Sequence, residues 1–132
     1  MALNPETLPG EVESESLYAG TFTTNETGLN GIDIGDYIGK VKVVLDAGAG
    51  TNDNQAANVS LQTGAEVNAN FAVFDPAIAF DAIAANGAAQ TQALEVDTRV
   101  AGKYLRAHLV RASAGNGRAI SVTITGKKQG DA

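Results

Sequence analysis

A chain of 132 residues fits one domain, and the absence of cysteine excludes disulfides and thiolate metal sites. The net charge of −6 argues against non-specific nucleic-acid binding by the whole domain. No apolar run approaches the roughly 20 residues of a membrane helix, and no charged-then-apolar leader follows Met1, so neither a membrane span nor a secretory signal is expected.

Residues 1–16 read as an extended acidic arm. They hold Pro5, Pro9, Gly10 and the acids Glu6, Glu11, Glu13 and Glu15, and proline together with like charge disfavours a packed helix. A β pattern is predicted from Leu17, where Leu17 to Thr23 is rich in strand formers. Asn25 to Asn30 reads as a turn. Gly31 to Gly35 follows, with Ile32 and Ile34 on one face. Ile38 to Asp46 is the clearest strand: Ile38, Val41, Val43, Val44 and Leu45 are expected to be buried, and Lys40 and Lys42 to point outward.

Ala47 to Ala57 is a Gly/Asn/Asp loop. Asn58 to Thr63 alternates as a strand, and Phe71, Val73 and Phe74 suggest a short strand that ends at Pro76. Ala77 to Ala85 fits a strand or an irregular edge, and Asn86-Gly87 a turn. Strands are predicted over Gln90–Asp97, Lys103–Ala112 and Arg118–Gly126, with a hairpin loop from Ser113 to Gly117. Ile120, Val122 and Ile124 alternate with Ser121, Thr123 and Thr125 in the last strand. About eight short strands with Gly/Asn turns indicate an all-β, antiparallel sandwich or barrel over residues 17–128, with a polar tail at 129–132.

The charges are unevenly distributed. Residues 1–98 carry 14 acids and 2 bases, and residues 99–132 carry 1 acid and 7 bases. Opposite charge in two segments predicts pairing, either across a sheet within one chain or head to tail between copies.

Catalytic and ligand signatures are not found, so no catalytic, cofactor or metal residue is assigned and no enzyme activity is expected. His108 is alone in a predicted strand, on the side opposite the core, and one histidine cannot form a metal shell or a nucleophile–base pair. Gly48-Ala49-Gly50-Thr51 lacks the Gly-Lys-Ser/Thr end of a phosphate loop. Asp46, Asn52, Asp53 and Asn54 crowd one loop, yet their spacing is not that of a helix–loop–helix calcium site. Asp75 and Asp81 show no sign of a perturbed pair. Asn25-Glu26-Thr27 and Asn58-Val59-Ser60 are formal glycosylation sequons. Arg99, Lys103, Arg106 and Arg111 do not fall on one strand face, and only Tyr104 is interleaved with them, unlike a nucleic-acid surface. With no tryptophan and three tyrosines, the chain has few rings for stacking sugars.

Tyr37 to Gly50 and Val59 to Gly64 resemble stretches of small structural proteins of tailed bacteriophages. The rhythm Asp97-Thr98-Arg99 … Tyr104-Leu105-Arg106, within Leu94–Arg99 and Gly102–Ala107, and the closing Ser121 to Lys128 are similar too. Together these segments cover about residues 17–128. The resemblance implies a jelly-roll-like β-sandwich, and the role of a capsid decoration or cement protein on the virion head, assembled in the host bacterial cytoplasm. It implies the major capsid protein and further copies of the chain, as a dimer or trimer, as partners, and supplies no cofactor, catalytic residue, nucleic-acid or membrane contact. A tail, head–tail connector or fibre-associated module, or a carbohydrate-binding module, are the other readings that the pattern leaves open.

Overall fold

The computed structural model describes residues 12–26, 29–50, 55–67, 71–73, 80–98, 103–111 and 117–128. They form eight strands: β1 (Val12–Phe22), β2 (Ile32–Asp33), β3 (Lys40–Ala47), β4 (Asn58–Gly64), β5 (Ala72–Val73), β6 (Gln90–Asp97), β7 (Tyr104–Val110) and β8 (Arg118–Lys127). No helix occurs among the described residues. Two four-stranded antiparallel sheets result, ordered β1-β8-β3-β6 and β2-β7-β4-β5.

The pairing is that of one long hairpin wrapped on itself: β1 with β8, β2 with β7, β3 with β6 and β4 with β5. Only the β4–β5 connection stays within a sheet. This is the jelly-roll arrangement of the sandwich.

Period two explains why these segments are strands. In β3, Val41, Val43, Leu45 and Ala47 are buried while Lys40, Lys42 and Asp46 are exposed. In β8, Ile120, Val122 and Ile124 point inward. Facing them from the second sheet are Val59 and Leu61 of β4 and Leu105, Ala107 and Leu109 of β7. Phe22, Ile34, Tyr37, Ala57, Phe80 and Ile83 close the core at its ends.

Three expectations change. Residues 12–16, expected in the arm, belong to β1, where Val12 to Ser16 pair with Lys127 to Thr123. Their acids looked like a solvated run because the base that neutralises them lies over a hundred residues away. A register irregularity between Ser16 and Tyr18 places both Leu17 and Tyr18 against the core. Second, Ile38 precedes β3 and is 45% exposed, and Val44 faces outward, so neither is the core residue expected. Third, within Ala77 to Ala85 the described residues form no strand, and one bridge between Ala57 and Ile83 ties them to the sheet. The arm proper (1–11), the tail (129–132), Ala112 and residues 113–116 of the Ser113–Gly117 loop lie outside the described residues.

Val43 and Leu105 have no exposed surface and face the core from different sheets. Val43→Asp and Leu105→Asp should each abolish the cooperative thermal transition measured by circular dichroism, because a buried unpaired carboxylate costs more than the about 5–15 kcal/mol that holds such a domain together. Leu45→Ala, which only opens a cavity, should cost about 2–5 kcal/mol and leave the fold intact.

Candidate functional site

Those of the residues singled out as possible chemistry that are described do not converge. His108 sits on the outer face of the second sheet, opposite Ser60. Burial and then the neighbouring Arg106 push its pKa down, and its Nδ1 is buried without a hydrogen-bond partner. Arg106 stacks on Phe71 with 4.1 Å to the ring centre, and donates to Gln62 Oε1 at 2.7 Å and the Leu29 carbonyl at 3.1 Å. Lys103 lies 3.8 Å from Asp33. Arg111 instead turns inward and stacks on Phe22, with 4.3 Å to the ring centre. The bases therefore do not share a face, as their spacing suggested.

Asp46 accepts a hydrogen bond from Thr91 across the first sheet. Its loop companions Asn52, Asp53 and Asn54, like Thr51, Asp75 and Arg99, lie outside the described residues. Among the described residues no three His, Asp or Glu side chains gather to hold a metal ion. The Asp81 backbone is clamped by the Gln92 amide, which accepts from the Asp81 N–H at 2.7 Å and donates to the Asp81 carbonyl at 3.1 Å.

Two polar features stand out; the first was not foreseen, and the second gives residues to the expected pairing of the acidic and basic segments. Arg118, 2% exposed, donates to the carbonyls of Ala84 at 3.2 Å and Gly87 at 2.9 Å. A Cβ on Gly50 would overlap its guanidinium. Arg118 thus locks the 84–87 turn against the end of the sandwich, and Asn86 takes the positive φ of 54° that this turn requires. The clue in the sequence was a charged residue at the inward register of β8, two before Ile120.

The second feature is an ionic cluster at the other end of β8. The Lys128 ammonium contacts the Glu15 carboxylate and lies 3.6 Å from that of Glu13. It also sits 4.9 Å above the centre of the Tyr37 ring. The hydrogen bond to Glu15 raises the Lys128 pKa against the opposing effect of burial. The Tyr37 hydroxyl is buried near Glu15 without hydrogen-bonding geometry, and burial, then the Glu15 charge, pushes its pKa up to about 12. The acidic N-terminal and basic C-terminal segments here meet within one chain.

The first sheet, with strands of eight to eleven residues, presents a broad outer face. Its register places Ser14, Thr125, Lys42 and Glu95 in one row across the strands. The next rows are Ser16, Thr123, Val44, Ala93 and then Ala19, Ser121, Asp46, Thr91. Short hydroxyl and methyl groups make the middle row uncharged. Lys42 and Glu95 lie in the row on one side of it and Asp46 in the row on the other.

No protein-family model matches the chain, and no curated protein matches it.

Two outcomes follow from the buried polar groups. Gly50→Ala and Arg118→Leu should each lower stability by about 2 kcal/mol in chemical denaturation, since both break the charge-assisted bonds of the buried Arg118 guanidinium to the 84–87 turn. Raised pKa values for Tyr37 and Lys128 mean that the native state holds protons the unfolded chain has released. Stability is therefore full below pH 10 and falls as pH climbs through about 12. In melts between pH 9 and 12, Tyr37→Phe should flatten this alkaline loss, and Lys128→Met should reduce stability by about 1 kcal/mol at neutral pH.

Proposed function

We propose that the chain is a virion structural protein of a tailed bacteriophage, of the decoration or cement type. In this reading it binds the outer surface of the head, with the major capsid protein and further copies of itself as partners, and stabilises the capsid. The observation that carries the reading is the uncharged row of Ser16, Thr123, Val44 and Ala93 across the middle of the first sheet's outer face, with charged residues on either side of it. Fold alone does not give function, but a jelly roll with a row of short side chains framed by charge is suited to lie against another protein. The phage-like stretches coincide with the framework: Val59–Gly64 lies in β4, Leu94–Asp97 in β6, Tyr104–Ala107 in β7 and Ser121–Lys127 in β8.

Magnitudes are consistent with this role. Four strands spaced about 4.8 Å apart, over about eight residues of about 3.3 Å each, present roughly 500 Å². A standard specific interface takes about 800 Å² from each partner, so one face supplies more than half of it. Many copies on a symmetric shell then add avidity without a strong single contact.

The test is electron microscopy of purified particles, in which the protein should appear as ordered density on the head. Density on the tail alone would overturn the assignment in favour of a tail or connector module. The double variant Val44→Arg with Thr123→Arg puts two large cations on the centre of that face and leaves the core untouched. It should melt like the parent and bind particles at least tenfold more weakly; unchanged binding would remove this face from the contact.

A further inference from the structure

β6 is an open sheet edge. Its only neighbour among the described strands is β3, and its eight residues pair with β3 without a break in register. Shortness, bulges, proline or lysine keep sheet edges from recruiting further strands. β2 and β5 are two residues long, and β1 carries the irregularity between Ser16 and Tyr18. β6 has no bulge, proline or lysine, and its only charged residues, Glu95 and Asp97, lie near its end.

One hydrogen bond fixes which way its backbone groups point. The Thr98 N–H donates to the Gly39 carbonyl at 3.0 Å, so Thr98 turns its backbone toward β3. Along an antiparallel strand this direction alternates from residue to residue. Val96, Leu94 and Gln92 therefore bond to β3, while Thr91, Ala93 and Glu95 turn their N–H and C=O groups to the open edge. The side chains of these three residues are exposed on the outer face, in register with Asp46, Val44 and Lys42.

Donors and acceptors repeating every second residue fit another extended strand. A second copy of β6, related by a two-fold axis, meets the pattern because odd residues then face odd residues. Charge selects the register. With the axis at Ala93, Ala93 meets the partner's Ala93 and Thr91 meets the partner's Glu95. Glu95 and the partner's Glu95 then stand four residues apart, about 14 Å along the strands, beyond the Debye length of about 8–10 Å. An axis at Leu94 brings them to about 8 Å, and an axis at Glu95 sets them face to face. An axis at Gln92 or Thr91 pushes Glu95 past the end of the partner's β6 and loses its hydrogen bonds.

We infer that β6 is the edge through which two copies of the chain join, antiparallel about Ala93, into one eight-stranded sheet. The row of Ser16, Thr123, Val44 and Ala93 then runs on into its own copy, over about 38 Å. This deepens the proposed function by naming the contact between copies. Two joined outer faces present roughly 1,000 Å², above the about 800 Å² that a standard interface takes from one partner. The edge contact itself is small: seven residues, about 23 Å long and one sheet of about 10 Å deep. It is far below the standard interface, so the dimer forms weakly and reversibly in dilute solution.

Disulfide trapping tests the pairing without phage particles, and the chain has no cysteine of its own. Facing residues of antiparallel strands have Cα atoms about 4.5–5.5 Å apart, within disulfide reach. In a glutathione redox buffer, full-length Ala93→Cys should form disulfide dimers about tenfold more than Ala19→Cys, because docking raises the effective thiol concentration. Ala19 is the control, an exposed alanine on the outer face of β1. Thr91→Cys and Glu95→Cys should cross-link far more when mixed than either does alone. Adding Ala93→Lys to both should remove that cross-link and leave the melting temperature unchanged. Equal yields from Ala93→Cys and Ala19→Cys, or a mixed yield no higher than that of each single variant, would overturn the pairing. Either failure would leave binding to the head, read on particles, untouched.

Discussion

The first sheet depends on the insertion of β8 between β1 and β3. β8 is hydrogen-bonded along both edges, to Val12–Phe22 on one side and to Lys42–Ala47 on the other. Its Ile120, Val122 and Ile124 are fully or almost fully buried at the middle of the core. Because the last strand fills a central place, β1 has no other partner among the described strands, and β3 would keep only β6. A wrapped hairpin of this kind pairs residues that are far apart in sequence, so most of its loop-closure entropy must be overcome before the native contacts reward it.

Both ends of β8 are secured by a buried or half-buried cation. Arg118 at its start reaches the carbonyls of the 84–87 turn, and Lys128 just past its end gathers Glu13, Glu15 and the face of Tyr37. Neither cation acts mainly as a surface salt bridge, which would contribute little. Each one ties a segment outside β8 to an end of that strand: Arg118 the 84–87 turn, Lys128 the acids of β1 and the Tyr37 ring.

The two sheets treat their surroundings differently. The second sheet ends in two-residue strands, β2 and β5, and carries Arg106, Phe71 and His108 on its outer side. Its edges are too short to recruit another strand. The first sheet has edge strands of eleven and eight residues and a broad outer face. This asymmetry is why the proposed contact falls on the first sheet: the short side chains of its middle row lose little conformational entropy when they are covered.

The strands with a clean alternation could be read directly from the sequence. β3, β4, β6, β7 and β8 follow from period two, because burying one face of a strand forces every second residue to be apolar. The outward placement of Lys40, Lys42 and His108 and the absence of a common face for the bases follow from the same period. The sequence could not reveal that Glu13 and Glu15 lie in a strand, because the reason is Lys128, which only the β1–β8 register brings to them. The exposure of Ile38, the outward face of Val44 and the burial of Arg118 were likewise set by what packs above each position. Local alternation thus determined by itself that this is a β protein and which side of most strands faces inward. The order of strands in the two sheets, and with it the uncharged middle row of the first sheet's outer face, was decided only in the tertiary structure, because each is assembled from strands whose neighbours in space are remote in sequence.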